Sequence, residues 1–582
     1  MVIASGLALT ACSSGDSTAD RMKQAANGFA DALTRDDVAA AAGATTDAKQ
    51  ATDSLGGLYD ALGKQVKYQV SNVQKTDAGG TFTLAADWKL GKDGHNEWTY
   101  STTGTLDDTG DGWKVHWNPA TVAPGLDIGP LSYGPVAPAP AARVLDSTGG
   151  EFMSQQIVTL VNLAPGADTA AVAGLLHTAA PDVTAASLTS ELAGAQGKPI
   201  TAVTLRPADI APIQDALAAL PNVTLAPQTR LLTTDKSLSS PVWSGLSDLW
   251  QQDADAAAGW AVRARGTDGS TQRVGGQDAK AVTDIHTTLD PALQHAAEAA
   301  LVPIPQAAAI VALQPSTGNV LAIAQNGPAD DQGPLALTGL YPPGSTFKTV
   351  TVSAALQSGA VTPDTVLACP GTENIEGRQI PNDNNFDLGQ VPLHTAFAKS
   401  CNTTMGRLAV NLAPDALTTA AMQLGLGVDY TTPALTTVTG KVPSADTAAL
   451  RVEEGIGQGQ VTASPFGMAM VAAALAHGSP PNPALVQGRP GVPGKVPPAL
   501  PPTIADQVKT MMRETITGGT ATQLADIPGL LGKTGTAEFI DDKHAHGWFV
   551  GISGDLAFAV FINDAGSSTP AVDAAGRMLR AH

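Results

Sequence analysis

Three short motifs follow one another down the second half of this 582-residue chain: Ser345-Thr346-Phe347-Lys348, Ser400-Cys401-Asn402 and Lys533-Thr534-Gly535. Their residue types suit acyl transfer through a serine. Ser345 follows Pro342-Pro343-Gly344 and opens an apolar helical pattern, so its hydroxyl belongs at a helix N-terminus, where free N–H groups and the helix dipole stabilise negative charge. Lys348 shares that helical face, and its amine can take the serine proton if burial and the charge of Lys533 depress its pKa. Ser400 can relay a proton between the two lysines, and Asn402 can hydrogen-bond a substrate amide. The run Lys533-Thr534-Gly535-Thr536 reads as a strand on which Lys533 and Thr534 bind a carboxylate while an extended substrate pairs along the edge. The N–H groups of Thr536 and Ser345 would form an oxyanion hole, where losing one donor costs on the order of 100-fold in rate.

Each motif has a plainer reading. Ser-x-x-Lys occurs in many helices as a cap and a solvated lysine, and Ser-x-Asn suits a polar turn. Rival chemistries fail on spacing. A phosphate-binding loop at Gly532-Lys533-Thr534 would need a glycine where Ile527 stands. Gly455-Ile456-Gly457-Gln458-Gly459 lacks the spacing of a dinucleotide loop and reads as a tight turn ahead of a helix beginning at Pro465. His544 and His546 share a strand face but have no accompanying carboxylate or cysteine set, so no metal is expected. No cofactor motif is present.

The net charge of -20 excludes nucleic acid, whose partners need a basic stripe. Of three cysteines, Cys12 follows Leu9-Thr10-Ala11 in the manner of a lipoprotein processing site. Residues 1–12 are therefore expected to be a signal remnant with Cys12 lipidated, which would tether the body to a membrane. No Lys or Arg occurs before Arg21, so the basic start of a signal peptide is missing and translation is expected to begin upstream. Beyond Cys12 no apolar run reaches the roughly 18 residues of a membrane span. In an oxidising compartment Cys369 and Cys401 can form a disulfide; equally, Cys401 can pack as a free thiol.

Length suggests about three or four domains. Residues 13–120 open with an amphipathic stretch and continue into alternating segments such as Val66-Lys67-Tyr68-Gln69-Val70, as in a small α+β domain. Alternation through Val115 is expected to bury Trp113 and Trp117 on one strand face. Residues 121–140 are rich in Pro and Gly and read as an extended linker. Residues 141–284 alternate strands with helices and carry no nucleophile or metal cluster. Residues 285–582 open with a helix over 291–301 and a hairpin around Gln314-Pro315-Ser316-Thr317-Gly318, and close with a hairpin around Ser553-Gly554-Asp555 and a terminal helix. That is an antiparallel sheet bracketed by helices.

Together these residues resemble the class B penicillin-binding proteins, the monofunctional peptidoglycan transpeptidases. The resemblance rests on Thr287-Thr288-Leu289-Asp290, Tyr341-Pro342-Pro343-Gly344-Ser345, Ser400-Cys401-Asn402, the Gly455 to Gly459 turn, Lys533-Thr534-Gly535-Thr536-Ala537-Glu538 and Trp548-Phe549. The N-terminal region resembles the cone-shaped domain of the methicillin-resistance type, and residues 141–284 take the place of the pedestal or dimerisation domain. The implied fold is multidomain α+β, ending in a β-lactamase-like serine transpeptidase domain. The implied reaction begins when Ser345 attacks the penultimate D-alanine of a peptidoglycan stem peptide. Terminal D-alanine leaves, and the acyl group passes to an acceptor amine. β-Lactams would acylate the same serine. The implied setting is the extracytoplasmic face of the cytoplasmic membrane, with a glycosyltransferase and division or elongation proteins as partners. A D,D-carboxypeptidase stays open, because sequence does not show whether water or an amine reaches the acyl-enzyme. A β-lactam-responsive or divisome scaffold needing no turnover is the reading of another class. A β-lactamase is disfavoured by the extra domains.

Overall fold

The computed structural model describes residues 17–539 and 544–582; Cys12 lies outside them. The chain divides into two units. The first joins the described residues up to Ala141 with Asp253–Val282; the second joins Ala142–Gln252 with Thr283–His582.

In the first unit, helix Ser17–Thr34 buries Met22, Ala26, Phe29, Ala30 and Leu33, a stripe at helical spacing. Helix Ala48–Leu62 is capped by Asp47, whose carboxylate accepts the Gln50 N–H. Four antiparallel strands follow in sequence order, Val66–Thr76, Gly79–Leu90, Asn96–Asp108 and Trp113–Val115. Gly79–Leu90 buries every second residue, including Phe82, Leu84 and Trp88, as period-2 alternation requires. Trp117 is buried against this core, whereas Trp113 is only half-buried beside it.

The stretch read as a linker departs from that expectation. Within it, Leu131–Val136 is a strand paired antiparallel with Gly259–Arg265, which in turn pairs with Thr271–Gln277. Trp260, Val262 and Ala264 complete the core of the first unit. Residues 253–282, assigned by sequence to the middle domain, thus belong to the first. The pairing joins segments far apart in the chain, and Gly134 and Pro135 mask the strand in any local reading.

The second unit begins with a sheet centred on Glu151–Leu163, paired along its length with Val223–Thr233 and at its end with Ile200–Leu205. Helices Thr169–Leu176 and Ala185–Gly194 cover one face through Val172, Leu176 and Leu188. Val144–Leu145 continues this sheet and pairs in parallel with Ile285–His286, where the Arg143 side chain meets Asp284 at 2.7 Å.

The larger sheet of this unit is antiparallel throughout, in the order Val320–Gln325, Ala308–Leu313, Leu556–Ile562, Ala545–Ser553, Leu531–Glu538. Both expected hairpins are present. Helices Pro291–Leu301 and Thr569–Ala581 pack on one face around Ile310, Ala312, Phe558 and Val560. Helix Pro465–His477 packs on the same strands and is buried from Pro465 to Leu475, since it is apolar all round. Its ends follow from sequence: the Ser464 hydroxyl accepts the Gly467 N–H, Pro465 occupies the first turn, and Gly478 closes the helix at φ 91°. Lys533 therefore stands on an edge strand.

Candidate active site

Ser345 sits in a short 3-10 turn, Gly344–Phe347, leading into helix Lys348–Gln357. Three glycines let other segments close on this turn. Gly344 has φ 51°, and a Cβ there would lie 2.5 Å from Thr536 O. A Cβ on Gly535 would lie 2.8 Å from Thr346 Cγ2 and 2.9 Å from Pro343 O. Gly457, at φ 77°, would place a Cβ 2.0 Å from Gly344 O. No larger residue fits at these crossings. Gly344 N–H donates to Gly457 O at 3.0 Å and the Thr351 hydroxyl donates to Gly455 O at 2.8 Å. The glycine-rich turn is thus a buttress behind Ser345. Trp548 adds a bond from its indole N–H to Pro342 O at 3.0 Å.

Around this half-buried serine lie two fully buried lysines. Lys348 Nζ donates to Ser400 O at 2.7 Å, Ser400 Oγ at 3.2 Å and Asn402 Oδ1 at 2.6 Å. Lys533 Nζ donates to Ser400 Oγ and to Thr534 O, both at 2.9 Å, and stands 5.6 Å over the Phe397 ring. Ser400 Oγ thereby bridges the two ammonium groups. Burial, then the nearby charge of Lys533, holds the Lys348 pKa well below that of an ordinary lysine. Burial lowers Lys533 to about 7. Two amines forced together in a dry site cannot both hold a proton without penalty, so one is readily neutral and able to act as a base.

The second motif is held by its own supports. Ser400 adopts φ 63°, an uncommon conformation for a side chain with a Cβ, and the surrounding turn keeps it there through Ser400 N–H to Phe397 O (2.9 Å) and Cys401 N–H to Ala396 O (2.8 Å). Helix Asn402–Val410 starts at the motif. Its first N–H groups, Asn402 and Thr403, donate to Oδ1 of buried Asn382 at 2.7 and 3.2 Å. Cys401 is disulfide-bonded to Cys369, so the thiols alternative gives way to the bridge. The Asn402 amide donates to Pro381 O at 2.8 Å, leaving its second N–H for another acceptor.

On the edge strand, Thr534 is buried and its hydroxyl lies 2.6 Å from that of Thr520. The Thr536 side chain turns away and accepts the Ser568 N–H at 3.1 Å, which leaves the backbone of Thr536 against Gly344. Beyond it, Gln458 donates to Glu538 at 3.0 Å. The contacts above therefore bring together the segments that carry all the residues singled out for chemistry, apart from Cys12: Ser345, Lys348, Ser400, Asn402, Lys533, Thr534, Gly535 and Thr536. Asn382 and Thr520 escaped the sequence reading, and Gln458 and Glu538 entered it only as members of motifs, with no role of their own. The Asn-rich turn Asn382-Asp383-Asn384-Asn385 and the Gly518-Gly519-Thr520 turn before a strand were the available signals.

Residues 308–580 match the penicillin binding protein transpeptidase domain, and residues 21–129 match the NTF2-like N-terminal transpeptidase domain. The peptidoglycan D,D-transpeptidase PbpA of Mycolicibacterium smegmatis is 31% identical over 350 residues, covering 50% of this chain and 70% of that protein. The chain belongs to the class B penicillin-binding proteins. PbpA of Mycobacterium tuberculosis is likewise 31% identical over 314 residues, which cover 46% of this chain and 64% of that protein. The chain thus spans just under two thirds of the length of the tuberculosis relative. A solved complex between penicillin-binding protein PBP2 and MreC from Helicobacter pylori matches with TM-score 0.57 and 15% identity, covering 77% of this chain and 98% of the other; that likeness is one of fold.

Proposed function

We propose that this class B penicillin-binding protein is a peptidoglycan D,D-transpeptidase working through an acyl-enzyme on Ser345. The observation that carries the reading is the bridge from Lys348 through Ser400 Oγ to Lys533, with both lysines buried. Neutral Lys348 takes the Ser345 proton as Oγ attacks the carbonyl of the penultimate D-alanine. The N–H groups of Ser345 and Thr536 hold the oxyanion. On collapse the C–N bond breaks, and the proton passes through Ser400 to the departing amine of terminal D-alanine. An acceptor amine then attacks the ester, its proton returns through Lys348, and Ser345 is regenerated with a new cross-link. Thr534, with Lys533 behind it, receives the donor carboxylate, and the edge strand pairs with the extended donor. A β-lactam acylates the same serine, but its ring nitrogen stays tethered.

The lipid anchor at Cys12, the extracytoplasmic setting, a role in cell shape or division and an influence on antibiotic resistance belong to the same proposal. The lipoprotein-like sequence before Cys12 supports the anchor. The partner named for the Helicobacter complex, MreC, supports an elongation or division protein as partner, with a glycosyltransferase supplying glycan.

The test is mass spectrometry of the protein during incubation with a penicillin, with Ser345→Ala as control. A lasting adduct on Ser345, absent from the variant, is the expected outcome. Rapid loss of the adduct with hydrolysed drug would replace this reading with a hydrolase, and no adduct would end it.

A further inference from the structure

Beside Thr534, where the proposed reaction seats the donor carboxylate, stands a hydroxyl that the scheme leaves idle. Thr520 lies in the turn Gly518-Gly519-Thr520 between helix Pro502–Thr517 and the Lys533 strand. The turn is fixed from both sides. Gly518 N–H donates to Glu514 O at 2.9 Å, and Ala521 N–H donates to Thr515 O at 3.1 Å. A Cβ on Gly519 would lie 2.3 Å from Ala398 O, so the turn is pressed against the end of the helix that precedes Ser400. The Thr520 side chain is exposed, whereas Thr534 is 3% exposed, and their hydroxyl oxygens are 2.6 Å apart.

A threonine hydroxyl carries one proton and two lone pairs. If Thr534 gives its proton to Thr520, it has only lone pairs to present to a carboxylate, and the contact is repulsive. If Thr520 is the donor, the Thr534 proton is free to point into the cleft, and the bond it accepts strengthens the one it gives. Thr520 stands at an exposed position, where water can serve its hydroxyl oxygen, so this direction costs little. We infer that Thr520 is a positioning residue for the donor carboxylate: its hydroxyl donates to Thr534 Oγ1 and so aims the Thr534 proton at the carboxylate of a stem peptide or a β-lactam. The inference rests on the transpeptidase reading above and adds a specificity element to it.

The experiment compares the second-order rate of Ser345 acylation by benzylpenicillin and by its methyl ester, for the wild type, Thr520→Val and Thr520→Ser. Valine keeps the shape and removes the hydroxyl; serine keeps the hydroxyl. Thr520→Val should slow acylation by the free acid about tenfold, the cost of one hydrogen bond serving a charged group. It should leave the rate with the ester within about twofold, and Thr520→Ser should recover most of the loss, as expected when only the hydroxyl matters. Equal losses on acid and ester would mean that the residue merely shapes the turn and would overturn the inference, as would an unchanged rate for Thr520→Val. Failure of the wild type to acylate would instead sink the transpeptidase reading itself.

Discussion

Lys348 and Lys533 share one hydroxyl, and among the described residues no carboxylate lies within hydrogen-bond distance of either, so desolvation is the largest influence on both. A solvated lysine is a poor base at neutral pH because nearly all of it is protonated; a desolvated one is not. The rate of acylation by a penicillin should therefore rise with pH along a limb lying below the ordinary lysine range. Lys533→Ala removes the like charge that helps to depress Lys348, so the limb should move to higher pH. The rate should also fall by about 100-fold or more, as expected when a group in the proton path is lost. A pH profile of acylation by mass spectrometry checks both. An unmoved limb would mean that Lys348 is not the base.

At the scale of elements, the site depends on backbone crossings more than on side chains. The turn Gly344–Phe347 is clamped between the Lys533 strand and the Gly455 to Gly459 turn, and each crossing has a glycine. Gly457→Ala would combine a positive φ with a Cβ 2.0 Å from Gly344 O. The expected result is a destabilisation of about 2 kcal/mol or more and acylation lowered by at least tenfold, since a displaced nucleophile loses alignment. Thermal unfolding and acylation kinetics together check this, and wild-type values for both would show that the buttress is dispensable. The second motif is anchored similarly, by Asn382 at the start of its helix and by the Cys369–Cys401 bridge.

For the whole molecule, buried carboxylates set an upper limit on the pH of greatest stability. Glu454, at the end of helix Ala448–Glu454, is fully buried, and among the described residues neither oxygen finds a hydrogen-bond partner. Burial, aided by Glu453, raises its pKa to about 7; burial raises Glu298 to about 8. A raised carboxylate favours the protonated form in the folded state. Its penalty is absent below the unfolded value near 4.3, grows as pH rises and is complete above the folded value. Glu454→Gln should therefore raise the unfolding temperature at pH 8 and change it little at pH 4. The gain should be about 2 kcal/mol, because an amide of similar shape removes the buried charge. Equal effects at both pH values would mean that the carboxylate is not the source.

What sequence alone determined was local. Ser345, Lys348, Ser400, Asn402 and Lys533 could be named because their roles require particular side chains at fixed spacings within one turn, loop or strand. Helix Pro465–His477 and the two hairpins of the larger sheet were legible because caps, turn residues and apolar periodicity act over a few residues. What tertiary structure decided was non-local. The pairing of Leu131–Val136 with Gly259–Arg265 joined a stretch read as linker to one read as middle domain. Asn382 reached the second motif across an intervening strand and helix, and Thr520 reached Thr534 across the loop that leads into its strand. Whether two lysines lose their water, and so become acid and base, depends on what folds over them. Desolvation and long-range pairing are summed over residues distant in the chain, and no local pattern records that sum.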